Sequence, residues 1–159
     1  MTNREFCIAR RKVEVPIFIR VLKAVPRERL HYRPHPKCRT AVELAWAIAA
    51  REAALVTLLD TGAVHWKEEA PPGLDQVLDT YARSATAVDE RLARLGEAAW
   101  ERKARFLKNG TPGWEDTIAQ FVWGFLFDAV HHRGQLTTYL RPMGGDVPAV
   151  YGPSADERW

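Results

Sequence analysis

Apolar residues recur at helical spacing in four long stretches, and this periodicity constrains the fold more than any other feature. Residues 3–24, 40–62, 74–95 and 115–141 each carry an apolar stripe with the 3.6-residue period of an α-helix. Proline and glycine separate these stretches, and no strand-like alternation of comparable length occurs. Four helices joined by mostly short connections predict an all-α fold, a four-helix bundle.

The boundaries of these helices follow from local signals. Thr40 and Glu43 have the spacing of a capping box at the start of the second helix, and Gly62 marks its end. Pro16 predicts a kink or a restart in the first helix. Residues 97–113 are less regular and predict an extended connector between the third and fourth helices, with which a short hairpin is compatible.

Composition excludes several classes of protein. The 159 residues, 47% hydrophobic and 27% charged, predict one compact domain over residues 1–159. The net charge of +3 is dispersed, which argues against a nucleic-acid partner. No apolar run approaches the ~18 residues of a membrane span, and residues 1–12 do not resemble an export signal. Cys7 and Cys38 have neither disulfide-framework nor zinc-site spacing, so we expect a cytoplasmic protein.

The fourth helix is the most apolar, yet it retains a cluster of polar side chains: Asp128, His131, His132, Arg133 and Gln135. Helical geometry places Asp128, His132, Gln135 and Tyr139 along one stripe. Asp128 and His132 can form a hydrogen-bonded pair in which the carboxylate fixes the imidazole tautomer, or they can ligate a divalent ion. Spacing alone favours the hydrogen-bonded pair. Gly134, inside the same helix, predicts that another backbone packs closely there.

Several segments resemble a known family. They are YRPHPKCRT (32–40), ELAW (43–46), DAVHHRGQLTTYLRPMGG (128–145) and VPAVYGPSADE (147–157). Together they resemble the DinB/YfiT-like superfamily of bacterial proteins, which is unrelated to the DNA polymerase that shares the DinB name. The resemblance implies a four-helix bundle, often a homodimer, with a three-histidine site for nickel, zinc or another divalent ion. It also implies, for some members, thiol-dependent transferase or isomerase activity.

The histidine triad implied by the resemblance is incomplete in this chain. Only His132 matches, because Asp128 replaces the first histidine of the pair on the last helix and Ala47 replaces the histidine on the second helix. Glu43, one turn before Ala47, is a candidate replacement ligand, although the capping box uses the same carboxylate. Arg51, one turn after Ala47, predicts instead that a guanidinium fills the vacated volume and pairs with Asp128.

Two hypotheses for function remain open at this stage. The first is a metal-free or weakly metal-binding homodimer with a small-molecule cleft, without nucleic-acid or membrane partners. The alternative is a divalent-metal-dependent enzyme of thiol-transferase or hydrolase type. The candidate metal ligands are Asp128, His132 and Glu43, and the candidate cleft residues are Trp46, Ala47, Arg51, Gln135 and Tyr139. Residues 146–159 are expected to fold back over the bundle or over a dimer mate.

Overall fold

Four long helices dominate the structure, a computed structural model that describes residues 1–158. The helices are α1 (Asn3–Lys23), α2 (Ala41–Thr61), α3 (Leu74–Arg94), the short α4 (Glu97–Trp100) and α5 (Ile118–Leu140). The strands are β1 (Ala63–Trp66), β2 (Lys103–Lys108) and β3 (Thr111–Thr117), and 3₁₀ turns span Arg27–Arg29 and Arg141–Met143. The predicted helical core is therefore present, but the prediction of an all-α fold is wrong. No helix within residues 1–158 is long and apolar enough to cross a membrane.

The three strands form a sheet in the order β1-β2-β3, at the end of the bundle where α2 ends and α5 begins. β1 pairs in parallel with β2, and β2 pairs antiparallel with β3. Asn109 and Gly110 connect β2 to β3 with positive φ angles of 52° and 80°, as a tight hairpin turn requires. Because β3 continues to Thr117, α5 begins at Ile118, later than the periodicity predicted.

The helix termini follow the predicted chemistry. The Thr40 N–H donates to Glu43 Oε2 at 2.7 Å, and the Glu43 N–H donates to Thr40 Oγ1 at 3.3 Å, which confirms the capping box. Gly62 ends α2 with a φ of 77°, in the left-handed region that glycine favours. α1 continues through Pro16 as one helix, so no restart occurs there.

Apolar side chains from α1, α2, α3 and α5 meet in the core, and Trp100 of α4 is fully buried beside them. The tail lies against this bundle. Arg20 of α1 donates to the carbonyl oxygen of Ala149, and the Tyr151 hydroxyl accepts a hydrogen bond from Arg133 at 2.6 Å. The expected fold-back of the tail onto its own bundle is confirmed through residue 158, and residue 159 lies outside the described part of the chain.

Candidate functional site

An ion pair joins α2 to α5 at the predicted site. The Arg51 guanidinium contacts the Asp128 carboxylate through Nε, and its Nη1 donates to the carbonyl oxygen of Ala47 at 2.8 Å. The guanidinium therefore lies beside the turn of α2 that carries Ala47. This is the pairing that the sequence favoured over a bound cation.

His132 adjoins this ion pair but is not hydrogen-bonded to Asp128. Its Nδ1 lies 2.8 Å from Gln135 Oε1. Because an amide oxygen only accepts, Nδ1 carries the proton and Nε2 carries the lone pair. Nε2 is 3.4 Å from Asp128 Oδ2, the same oxygen that Arg51 Nε contacts, and Nε2 itself has no hydrogen-bond partner among residues 1–158. The expectation that Asp128 fixes the tautomer is wrong, because Gln135 does so.

The charges around His132 keep the imidazole neutral. Burial lowers the pKa of His132, the Arg51 and Arg39 guanidinium groups lower it further, and the hydrogen bond with Gln135 acts in the opposite direction. Burial, and then the nearby Arg39 charge, lower the pKa of Arg51 to about 10, so it remains a cation at neutral pH. The ion pair with Asp128 reinforces that charge. The site therefore combines a cationic guanidinium, a carboxylate and a neutral imidazole.

The predicted metal ligands are not assembled. Glu43 is engaged in the cap of α2, and the hydrogen bond from the Thr40 backbone lowers the pKa of its carboxyl. Within residues 1–158, no three His, Cys, Asp or Glu side chains lie close enough to hold one metal ion. Arg51 contacts the carboxylate that would otherwise face a cation. The donor set of Asp128, His132 and Glu43 therefore does not fit the nickel or zinc ion that the resemblance implied.

A cavity of about 580 Å³ opens beside this centre, between the sheet and helices α2 and α5. We call it the aromatic cavity. Its lining includes Arg39, Arg51, Trp66, Glu68, Phe106, Lys108, Trp114, Asp116, Gln120, Phe121, Gly124, Phe125 and Asp128. The residues of α5 in this set recur at intervals of three and four, so one face of the helix forms a wall. Of the predicted site residues, only Arg51 and Asp128 line this cavity.

Aromatic rings form most of the opposite wall. Phe106 of β2 and Trp114 of β3 stack with centroids 4.1 Å apart and an interplanar angle of 16°. Trp66 of β1 lies 6.5 Å from Phe106, and the Arg51 guanidinium is 5.2 Å from the Trp66 ring centroid. This last contact is a cation–π interaction that links the polar centre to the aromatic wall.

The other predicted cleft residues have separate positions. Trp46, Ala47 and Glu43 line an adjoining recess of about 510 Å³, which shares Arg39, Arg51, Trp66 and Glu68 with the aromatic cavity. Gln135 and Tyr139 line neither space. Gln135 orients His132, and the Tyr139 hydroxyl donates to the carbonyl oxygen of Arg39 at 3.0 Å.

Sequence reasoning missed the sheet side of the cavity. Trp66 and Trp114 are not among the predicted site residues, yet both line the cavity, and Trp114 is 54% exposed. A tryptophan within a polar connector was the available signal. The expectation for Gly134 is also wrong, because outside its own helical turn no atom lies within 4 Å of the position a Cβ would take there.

This geometry defines a class of protein: a helical bundle with a sheet at one end and a polar centre between two of its helices. The chain belongs to the DinB family, whose sequence model matches residues 14–158. It is similar to the crystal structure of a DinB-like protein from Bacillus cereus, with 26% identity, a TM-score of 0.73 and coverage of 92% of this chain and 97% of the other.

More distant structures share the fold. A DinB-like protein from Bacillus subtilis is 16% identical, with a TM-score of 0.70 over 96% of this chain and 99% of the other. A mycothiol-dependent maleylpyruvate isomerase is 14% identical, with a TM-score of 0.55 over 91% of this chain and 64% of the isomerase. At these identities the likeness concerns the fold alone. No curated protein sequence matches this chain significantly.

Proposed function

We propose that this DinB-family protein binds a small molecule in the aromatic cavity around a metal-free polar centre. The observation that carries the proposal is the position of Arg51, in contact with Asp128 and hydrogen-bonded to the Ala47 carbonyl oxygen. A guanidinium there supplies a permanent positive charge and fixed N–H donors. The protein's own side chain therefore performs the charge-balancing role that a bound cation would otherwise have.

The polar centre offers both a donor and an acceptor to a ligand. The side chain of Asp128 is 39% exposed although Oδ2 is inaccessible, so the accessible carboxylate oxygen is Oδ1. Oδ1 can accept a hydrogen bond, while Nη2 of Arg51 retains N–H groups without partners within residues 1–158. His132 lies on the buried side of Asp128 as a neutral group. A cavity of about 580 Å³ lies within the usual range for small-molecule sites.

Elemental analysis tests whether the centre is metal-free. The protein is purified without a His-tag or nickel resin, and wild type is compared with His132→Ala at known protein concentration. We expect far less than one metal ion per chain in both, and a thermal stability that a chelator leaves unchanged. Near-stoichiometric metal that disappears in His132→Ala would contradict the proposal.

That contrary result would favour the alternative, a divalent-metal-dependent enzyme of thiol-transferase or hydrolase type around Asp128 and His132. One observation favours this alternative: the lone pair of His132 Nε2 faces Asp128 Oδ2 at 3.4 Å, and Nε2 has no hydrogen-bond partner in residues 1–158. The competing contact of Arg51 with the same carboxylate makes it the second choice.

We also propose that two copies associate through the outer surface of α1 and α5. Three apolar side chains are unusually exposed there: Phe6 at 49%, Val13 at 50% and Phe127 at 63%. Trp123 connects Phe6 with Phe127, since its ring centroid lies 5.8 Å from that of Phe6 and 5.5 Å from that of Phe127. Apolar rings in one patch suit a two-fold interface, in which the same surface meets itself.

A cytoplasmic location remains a prediction from the cysteine pattern.

A further inference from the structure

The charges that line the aromatic cavity are unequally compensated. Lys108 pairs with Glu68 at 2.7 Å, and Arg51 contacts Asp128. Arg39, which also lines the cavity, makes no side-chain hydrogen bond or ion pair with any residue from 1 to 158. Its guanidinium is therefore the one cation of the described lining without an ion-pair partner. The hydrogen bond and charge of Lys108 lower the pKa of Glu68 most, and the charge of Arg39 contributes to that shift without a contact.

The remaining charged side chain of the lining is Asp116, at the end of β3. Asp116 Oδ1 accepts the N–H of Thr117 at 2.8 Å, directly before α5. The N-terminus of a helix stabilises a negative charge, so this carboxylate has its own local compensation. The lining thus holds three cations and three carboxylates, and Arg39 is the cation among them without an ion-pair partner in residues 1–158.

Arg39 and Arg51 belong to the same end of the cavity. Each lines the aromatic cavity and the adjoining recess, so the two guanidinium groups flank the boundary between these spaces. An anion bound there would be attracted by both charges. The planar fork of a guanidinium matches the two oxygens of a carboxylate particularly well.

The rest of the cavity favours a flat apolar body. Phe106 and Trp114 stack on each other, and the Trp114 ring lies 6.0 Å from Phe121, so the edges of these rings form an aromatic wall. Gly124 of α5 also lines the cavity, and outside its own helical turn no atom lies within 4 Å of the position its Cβ would take. A planar ring system can therefore lie beside Gly124, against the edges of these rings.

We infer that the ligand of the aromatic cavity is a planar aromatic carboxylate, with its ring against Trp114 and Phe106 and its carboxylate between Arg39 and Arg51. This inference rests on the proposed function, because it assumes that the cavity is the binding site. It adds a charge requirement that small-molecule binding alone does not impose. Arg39 acts as the residue that selects an anion over a neutral molecule of the same shape.

Isothermal titration calorimetry with two matched probes tests the inference. The probes are 2-naphthoate and 2-naphthamide, which share a ring system and differ in charge. Wild type should bind 2-naphthoate at least about tenfold more tightly than 2-naphthamide, because charge-assisted hydrogen bonds to arginine are stronger than neutral ones. The preference should shrink as ionic strength rises.

Three variants locate the effect. Arg39→Gln should weaken 2-naphthoate binding about tenfold and leave 2-naphthamide within about twofold. Trp114→Ala should weaken the binding of both probes, since it removes an aromatic ring from the wall of the cavity. Arg83→Gln is the matched control, because Arg83 is an exposed arginine of α3 that pairs with Asp79 away from the cavity, and it should change neither affinity.

The outcomes separate this inference from the proposed function. If 2-naphthamide binds wild type as tightly as 2-naphthoate, and Trp114→Ala weakens it, the cavity is a binding site but the anion requirement is wrong. If 2-naphthoate binding is unchanged in Arg39→Gln, the inference is overturned as well. If neither probe binds wild type, the small-molecule site fails, and the inference fails with it.

Discussion

His132 Nε2 lies 3.4 Å from Asp128 Oδ2, and the two atoms do not share a proton. The spacing of the residues, one helical turn apart, suggested a hydrogen bond between them. Gln135, three residues after His132, prevents it by accepting the proton of Nδ1. Two acceptor atoms therefore face each other, and the cationic Arg51 at the same carboxylate makes that arrangement tolerable.

The tautomer of His132 is the first testable consequence. We expect ¹⁵N NMR spectra at neutral pH to show a neutral imidazole protonated on Nδ1 in the wild-type protein. Gln135→Leu removes the acceptor, so the proton should move to Nε2 and form a hydrogen bond with Asp128. Detection of the Nε2–H form in wild type would contradict the structure, since it would mean that Asp128 already accepts that proton.

A second prediction concerns the ion pair between Glu14 and Arg133, which is buried inside the bundle. Arg133 Nη1 lies 2.6 Å from Glu14 Oε2, with side-chain exposures of 2% and 3%. Glu14→Gln leaves a buried guanidinium without its counter-charge and should lower the free energy of unfolding by about 3 kcal/mol. Asp79→Asn is the control, because its pair with Arg83 is largely exposed and should contribute less than about 1 kcal/mol. Urea denaturation measures both.

The effect of Glu14 should also depend on pH. Burial alone would raise the pKa of Glu14, but hydrogen bonds from Arg133, Tyr151 and Arg10 outweigh it and lower that pKa below the ordinary value of 4.5. A lowered pKa in the folded state stabilises the protein above the ordinary value, and that contribution disappears as the pH falls through the lowered pKa. The stability difference between wild type and Glu14→Gln should therefore be full at neutral pH and shrink in acid. A difference that grows in acid would refute the assigned direction.

The four long helices could be predicted because their apolar stripes and end signals are local. The capping box of Thr40 and Glu43 and the left-handed Gly62 are determined by a few neighbouring residues. The sheet could not be predicted from alternation, since most of β3 is exposed and its sequence, TPGWEDT, carries no apolar face. Only the turn has a local signal, because Asn109-Gly110 is the dipeptide that type I′ hairpin turns favour.

The candidate site was likewise predictable only in part. The pairing of Arg51 with Asp128 followed from helical spacing once α2 and α5 were taken as neighbours. The aromatic wall did not, because Trp66 and Trp114 come from strands far apart in sequence. β2 brings them to one surface by pairing in parallel with β1 and antiparallel with β3. Such long-range pairing leaves little trace in a single sequence, whereas helical periodicity is repeated every turn.

Two glycines of α5 allow a third prediction. Outside the helical turn itself, no atom lies within 4 Å of a Cβ at Gly134 or Gly124, so alanine fits at either position. Gly134→Ala and Gly124→Ala should each raise the free energy of unfolding by about 0.5–1 kcal/mol, because glycine loses more backbone freedom on folding. Urea denaturation measures this change. Destabilisation by Gly134→Ala would show that another segment packs against this turn after all.

A larger substitution at Gly124 tests ligand binding separately from stability. Gly124→Leu places a branched side chain on the α5 wall of the aromatic cavity. We expect this variant to fold, with an unfolding transition at least as stable as that of wild type, and to lose binding of 2-naphthoate in calorimetry. Gly134→Leu is the matched control, because that position does not line the cavity, and its affinity should equal that of wild type. Equal binding by both leucine variants would place the probe elsewhere.

The last prediction concerns association of two chains through α1 and α5. Phe127 is 63% exposed, and its ring stacks 5.5 Å from Trp123, so it stands at the outer edge of the apolar patch. Sedimentation velocity should show wild type as a dimer and Phe127→Glu as a monomer, because a two-fold interface would bring two introduced carboxylates into the same apolar contact. Ala82→Glu, on the exposed side of α3, introduces the same charge away from the patch and should remain dimeric. A monomeric wild type, or a Phe127→Glu variant that remains dimeric, would refute this interface, and the second result would direct attention to another surface.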